Sequence, residues 1–373
     1  MTLHIFNPEH DIALASGLSN FTAPHAGRQL CHDLGFLPAI WAKEEDTIVV
    51  DDVAQAEREW KKTAHRLEKL LGRDCFKAGN RKFLTWKQLV SLKETARIDP
   101  WGWNIALRAV LLRRGVDERL MPSLRQLDVI RNLSHRHTAA QLLPKLRMAG
   151  TVGESFECRT AEEVETLLEH YGQLVMKAPW SSSGRGLRFL SVGRTPFQMQ
   201  AGWFNNLVAT QGCVMIEPYY NKVKDFGMEF QSDGCGNVSY LGLSLFHTEN
   251  GAYTGNVLST EAVKRESLCH YLSTELLDKI QAMICLESGS LFKDRYCGPF
   301  GVDMMVVSGT NGSAALLHPC VEINLRRTMG HVALALSPQD DDIRCVMRIE
   351  YSNERPSSAA SVNKNYKLTI NKL

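Results

Sequence analysis

The order of apolar and polar positions along the chain alternates short strand patterns with longer helical ones. Thr2 to Phe6 is an apolar run that reads as a buried strand, and Asn7-Pro8 breaks it into a turn before a helical pattern over Asp11 to Leu18. A second buried strand is expected at Thr47 to Val50, followed by Ala54 to Leu71, whose apolar residues recur at helical spacing. Together these describe a small α/β lobe. Residues 101 to 147 read as mostly helical: WGWNIALRAVLLRRG is amphipathic, Gly115 fits a C-terminal cap, and Leu133 to Leu146 resumes the pattern after an interruption at Pro122.

Farther on, TAEEVETLLEHYG predicts a helix over Ala161 to His170, and the strand LVMKAP follows directly, so WSSSGRG begins at a strand end. From Gly212 strands dominate, with VMIEPYY, DFGMEFQ and VSYLGLSLF in succession and SDGCGN, residues 232 to 237, as a hairpin turn. Residues 267 to 292 predict one long amphipathic helix. FGVDMMVV and LHPCVEIN then read as two strands joined by the polar link SGTNGSAA. The tail from Ser352 reads as peripheral until YKLTI, a candidate edge strand.

A chain of 373 residues fits two or three packed lobes rather than one core, which makes a cleft between lobes available. With 44% hydrophobic and 23% charged residues it has the composition of a globular protein with a sizeable core. Forty-three basic against 41 acidic residues leave a formal charge of +2, so no global field points to nucleic acid or an anionic membrane. Any anion must be held locally. The ten cysteines are scattered without a CxxC pair, which fits reduced thiols, and neither a leader pattern nor a run of ~18 apolar residues is present. The expectation is a cytoplasmic protein with neither nucleic acid nor membrane as partner.

Three segments carry candidate chemistry. In VMKAPWSSSGRGLRF a strand bearing Lys177 leads into a loop of Ser181, Ser182, Ser183, Gly184, Arg185 and Gly186, which can lay N–H groups and hydroxyls over phosphates while Lys177, expected to face solvent, adds a point charge. The loop fits neither the Walker A pattern nor GxGxxG. Asp303 in GVDMM and Glu322 with Asn324 in VEIN fall on two adjacent strands, where period-two alternation puts Glu322 and Asn324 on one face and strand pairing can bring Asp303 beside them. Two carboxylates and an amide oxygen make a hard oxygen site suited to magnesium. Arg326 continues the same alternation, and a guanidinium there suits a phosphate or a developing anion. In MIEPYYNKVKDFGMEF, Glu217 and the backbone near Tyr219 suit an adenine edge, and Asp225 suits ribose hydroxyls. Each segment alone also fits an ordinary surface turn, half-exposed strand or salt bridge.

In this order, MKAPWSSSGRG, IEPYY with its following acidic residue, GVDMM and VEINLRR resemble the ATP-grasp superfamily, over roughly Leu133 to His331. The phosphate loop and DGCGN are similar to the biotin carboxylase branch, and EINLR fits E-x-N-x-R. The resemblance implies an α/β fold of α+β lobes: a pre-ATP-grasp-like α/β domain over 1–125, a small lobe over 126–210, a large lobe with the metal site over 211–350 and a tail over 351–373. It further implies that Arg136, Lys177, Ser181, Ser182, Ser183, Gly184, Glu217, Tyr219 and Asp225 bind ATP, and that Asp303, Glu322 and Asn324 hold Mg2+, with Mn2+ as an alternative. Lys177, Arg185 and Arg326 would be catalytic. Arg136 stands where many relatives carry a lysine, and Asp303 where glutamate is commoner.

The implied activity is an ATP-dependent ligase that activates a small-molecule or peptide carboxylate as an acyl phosphate for attack by an amine or thiol. A kinase of the same fold and a nucleotide-binding protein without turnover are the alternatives, and a homodimer is compatible with the family. Three other segments are less specific. His10 and Asp11 in NPEHD follow the first strand, where a crevice forms in an open α/β sheet, though a turn and helix N-cap explain them as well. FHTENGAYTGN, with His247, Tyr253 and Asn256, reads as a polar loop, and WGWN as a packing anchor.

Overall fold

The computed structural model of the chain describes residues 1–71, 81–91, 95–181, 186–249, 252–309, 314–354 and 363–373. The strands in chain order are β1 Thr2–Ile5, β2 Thr47–Val50, β3 Lys82–Thr85, β4 Arg97–Pro100, β5 Phe156–Cys158, β6 Gln173–Lys177, β7 Leu187–Ser191 and β8 Val214–Pro218. They continue with β9 Lys222–Ser232, β10 Val238–Ser244, β11 Phe246–Glu249, β12 Ala252–Leu258, β13 Gly298–Val307, β14 Leu316–Asn324, β15 Cys345–Glu354 and β16 Asn363–Lys372. The chain forms two compact units, one of Met1–Asp128, Thr254–Val263 and Arg326–Leu373, the other of Val129–Tyr253 and Lys264–Leu325.

In the first unit, β1 to β4 form a parallel sheet in the order β3-β2-β1-β4. Parallel strands are buried on both faces, which is why TLHI and TIVV read as apolar runs without clean alternation. Leu3, Ile5, Val49, Ile98, Leu107 and Leu111 pack on one face. Ile48, Val50, Trp60, Ala64 and Leu67 join a second cluster with Leu258, Met347 and Ile370. Fully burying a side chain of this size stabilises by about 1.5–3 kcal/mol, so these clusters fix the sheet. Strands β12, β15 and β16 pair antiparallel, with Leu258 opposite Cys345 and Met347 opposite Ile370, and YKLTI lies within β16.

The second unit contains two four-stranded antiparallel sheets. One has the order β5-β8-β6-β7, with Val164, Leu174, Met176, Phe204, Val214 and Ile216 in its core. Its helix Ala161–Tyr171 opens with a capping box of Thr160 and Glu163 and stops at Gly172, whose φ of 72° suits glycine. The other has the order β10-β9-β13-β14. Along β13, Phe300, Val302, Met304 and Val306 are buried, and Phe300 stacks on Phe230 of β9 and meets Phe292 edge-on. The alternate positions, Gly301, Asp303 and Met305, therefore lie on the opposite face.

Several local expectations change. The single helix over 267 to 292 is two helices, Glu261–Cys269 and Thr274–Phe292, because Ser273 accepts a hydrogen bond from the Leu276 N–H and starts a new N-terminus. The helix expected from Leu133 instead runs over Leu124–Leu133, and a short helix His137–Leu142 gives way to a 3-10 turn at Pro144. FHTENGAYTGN falls largely in β11 and β12, with Asn256 buried opposite Met347. A polar loop is not the right description. Among the described residues no helix is long and apolar enough to cross a membrane.

Candidate functional site

The loop after β6 is pinned at both ends. At its entrance Trp180 donates from Nε1 to the Arg131 carbonyl (3.0 Å), and the Arg131 guanidinium lies 4.0 Å from the indole centre. At its exit the Ala178 N–H donates to the Gly186 carbonyl at 2.8 Å. A Cβ on Gly186 would stand 2.5 Å from Ser181 Cβ, so closure of the loop requires glycine there. Ser182, Ser183, Gly184 and Arg185 lie outside the described residues.

Arg136 connects this loop to the hairpin of β13 and β14. Its Nε donates to the Ala178 carbonyl (3.0 Å), one terminal nitrogen reaches Ser181 Oγ (3.3 Å), and the other pairs with Glu322 at 2.9 Å. Asp303 stands opposite Glu322 in the strand register, and Asn324 Nδ2 donates to Asp303 Oδ2 at 3.0 Å. Alternation and pairing thus bring together the three residues expected to hold metal. Gly227 on β9 is the other neighbour of Asp303, and a Cβ there would lie 3.5 Å from Asp303 Oδ1. Among the described residues no group of three or more His, Cys, Asp and Glu side chains forms a complete metal cage. That donor set fits magnesium, which uses one or two carboxylates and takes its remaining oxygens from phosphates and water.

Lys177 departs from expectation. Its ammonium does not face solvent but pairs at 2.5 Å with Glu217 on β8, and both side chains are only 7% exposed. Register explains the pairing: β6 and β8 run antiparallel with Val175 opposite Glu217 and Lys177 opposite Met215, so Lys177 and Glu217 are diagonal neighbours on one face of the sheet. Cys320 on β14 is buried, and its thiol is pushed up first by burial and then by the charges of Glu217 and Asp303. Tyr219 is half exposed, with its ring against Phe189, and its N–H already donates to the Gln173 carbonyl. That N–H is therefore already used within the sheet and does not face an adenine edge unpaired. Asp225 Oδ2 accepts from Lys222 (2.5 Å) and from Thr248 (2.6 Å).

Arg326 does not continue the alternation, because β14 ends at Asn324. In the first unit its guanidinium grips Asp11 through two hydrogen bonds of 2.8 and 2.7 Å, and Arg327 pairs with Asp99 at 3.0 Å. Asp11 is accordingly no N-cap: the helix His10–Ser16 has no side-chain cap. NPEHD is instead locked to WGWN. Asn7 Nδ2 donates to the Gly102 carbonyl (2.9 Å) and its Oδ1 accepts from the Gly102 N–H (3.3 Å). Asn104 caps its helix through Oδ1, so its Nδ2 is the donor to His10 Nδ1 at 3.2 Å. Gly102 admits the His10 ring, which a Cβ would meet at 2.6 Å. Trp101 packs edge-on against Phe6, as an anchor would.

One residue was overlooked. His318, on β14 four positions before Glu322, is fully buried with neither ring nitrogen hydrogen-bonded. Its even spacing from Glu322 and Asn324 in LHPCVEIN was a usable signal.

No family model matches the chain, and no curated protein matches it in sequence. Solved structures do match in shape. The biotin carboxylase domain of the 2-oxoglutarate carboxylase of Hydrogenobacter thermophilus, in complex with magnesium ADP, ADP and bicarbonate, superposes with a TM-score of 0.54 at 11% identity, covering 100% of this chain and 85% of that one. The biotin carboxylase of Campylobacter jejuni, in complex with β,γ-ATP, gives 0.51 at 12% identity and covers 100% and 87%. An ATP-grasp superfamily protein from Archaeoglobus fulgidus matches with a TM-score of 0.47 at 14% identity over 100% of this chain and 99% of that one. The chain has the ATP-grasp fold. At these identities the likeness concerns the fold and leaves the reaction to the residues of this chain.

Proposed function

We propose that the chain is a magnesium-dependent ATP-grasp ligase that converts a carboxylate to an acyl phosphate and passes the acyl group to an amine, releasing ADP and phosphate. The observation that carries this reading is the network of Arg136, Glu322, Asp303 and Asn324, which ties a hard oxygen site to the first residue of a phosphate-type loop. Arg136 holds the loop entrance through Ala178 and Ser181, and its guanidinium suits a phosphate better than a lone carboxylate does. Magnesium held by Asp303, Glu322 and the phosphates would neutralise charge on the transferring phosphoryl group. Lys177 is the second cation at the loop, and Arg326 is assigned to the acyl phosphate. Both must exchange a carboxylate partner for substrate, which makes their ion pairs part of the resting state. The fold neighbour bound to magnesium ADP and bicarbonate supports nucleotide use and an anionic co-substrate.

The test is an ADP-release screen over mixed carboxylic acids and amines, followed by mass spectrometry. An amide whose mass is that of acid plus amine less water is the expected product. A phosphorylated acceptor that accumulates without condensation would show a kinase instead, and ADP release from no mixture would remove the ligase reading.

A further inference from the structure

Beside the entrance of the phosphate-type loop the second unit holds a cavity of about 640 Å3, and none of the residues assigned to nucleotide or magnesium lines it. Its walls are the helix His137–Leu142, the end of β5 and the segment from Gln211 to Cys213 that leads into β8. A volume of this size suits a small molecule, for which roughly 300–1,000 Å3 is usual.

One wall is a ladder of rings. Trp180, the anchor of the loop entrance, meets the buried His135 ring edge-on at 4.6 Å, and His135 overlies His137 at 4.3 Å with 33° between their planes. His135 is uncharged by its hydrogen bonds: Nδ1 accepts the His137 N–H at 2.9 Å, so the ring proton sits on Nε2, 3.6 Å from Cys213 Sγ. Burial first, then His137, Arg131 and Arg136, push its pKa down to about 3, and burial lowers His137 too, against the pull of Glu157. His137 is only half-buried, which makes it the last rung and gives the cavity a flat, neutral face.

The remaining polar groups suit the edge of a ring rather than a charge. Gln141, four positions after His137 and so on the same side of its helix, and Gln211 bring two amides to the cavity. Gln211 Oε1 accepts the Trp180 N–H at 3.0 Å, which leaves its NH2 group as a donor. Glu157 and Arg159 pair with each other at 2.6 Å, and among the described residues the imidazoles and the thiol form no metal cage. We propose that this cavity is a second small-molecule site, for an uncharged planar nitrogen heterocycle of the purine type, stacked on His137 and held at its edge by Gln141 and Gln211. A glutamine amide can meet the N6/N7 edge of adenine with two hydrogen bonds. Trp180 touches both His135 and Gln211, so a ligand here bears on the anchor of the loop.

The experiment is calorimetry and saturation-transfer NMR on the full chain with adenine as the probe and magnesium ADP at saturation, so that the nucleotide site is filled. Wild type is compared with His137→Ala, His137→Phe and Gln141→Ala. Wild type is expected to bind one adenine alongside magnesium ADP. His137→Ala should weaken adenine by about tenfold or more, the scale of losing one base-stacking surface. His137→Phe keeps a flat ring and should restore most of that loss, while Gln141→Ala should cost a few-fold. Magnesium ADP affinity measured without adenine should be the same in all four proteins. No adenine binding, complete displacement of adenine by magnesium ADP, or equal adenine affinity in wild type and the folded variants would each overturn the proposal. Failure of magnesium ADP to bind would count against the nucleotide reading alone, and the His137 series would still decide the cavity.

Discussion

Two polar clusters, one in each unit, are held in opposite ways. At the carboxyl end of the first parallel sheet, Asn7, Gly102, His10 and Asn104 satisfy one another with neutral hydrogen bonds at fixed partners. Around the loop and hairpin of the second unit the polar residues are charged and paired two by two, Lys177 with Glu217 and Arg136 with Glu322. A saturated neutral cluster fixes backbone and has nothing left to offer a ligand. Ion pairs can exchange one partner for a phosphate or a metal, so the second arrangement is the one a nucleotide completes.

The largest effect should come from breaking the most deeply buried pair. Lys177→Met leaves Glu217 buried and uncompensated, which is expected to destabilise the fold by about 3–5 kcal/mol in chemical denaturation. Adding Glu217→Gln removes that charge and should recover most of the stability without recovering ATP affinity. A double variant that binds ATP as wild type does would make the pair structural, like the first-unit cluster.

Arg326 tests the comparison from the other side, since it lies in the first unit but forms a charged, exchangeable pair with Asp11 at 17% and 18% exposure. Arg326→Ala should lower kcat on the order of a hundredfold, the scale expected for loss of a preorganised charge donor, with a much smaller change in nucleotide affinity. Arg326→Lys should recover little, because one ammonium cannot replace the two-pronged contact. Normal turnover would leave only the salt bridge to Asp11.

A smaller effect is expected at the hairpin. Asp303→Asn and Glu322→Gln keep size but remove charge from a hard cation site, and each should raise the magnesium concentration for half-maximal turnover by about tenfold, roughly 1.4 kcal/mol. Unchanged magnesium dependence in both would reduce Glu322 to a partner of Arg136.

What the sequence made legible follows from the range of each interaction. Asp303, Glu322 and Asn324 could be grouped because alternation and pairing are local rules, and the register puts Asp303 opposite Glu322. The direction of Arg326 could not, because the strand ends two residues earlier and its partner, Asp11, is 315 positions away in the chain. Lys177 was placed on the correct strand, but its burial depends on the neighbour chosen by β6, which no pattern within LVMKAP specifies. The split at Ser273 was visible in principle as an N-cap serine followed by Glu275, inside a stretch whose apolar spacing suggested continuity.

The smallest net effect is expected in the first unit, where two neighbouring residues carry opposed pH dependences. Burial first, opposed by its own backbone N–H and assisted by Asp51, lifts the Glu9 carboxyl from 4.5 to about 7. Between those values the unfolded chain has lost this proton and the folded chain keeps it, so stability falls as pH rises through the window. Burial, with a contribution from Arg326, lowers His10 from 6.5 to about 4, and there the unfolded chain binds the extra proton, so stability rises with pH. At about 1.4 kcal/mol per pH unit each contribution is on the order of 3 kcal/mol, and over pH 4.5 to 6.5 they largely cancel. Denaturant unfolding of wild type should therefore show little slope from this pair. Glu9→Gln should unmask stability that increases with pH, and His10→Gln stability that decreases. If neither variant alters the slope, the burial of these two side chains in the folded protein is less complete than the locked NPEHD loop implies. If both alter it with the expected signs, the neutral cluster of the first unit is a structural device whose charge states are set by desolvation rather than by a ligand.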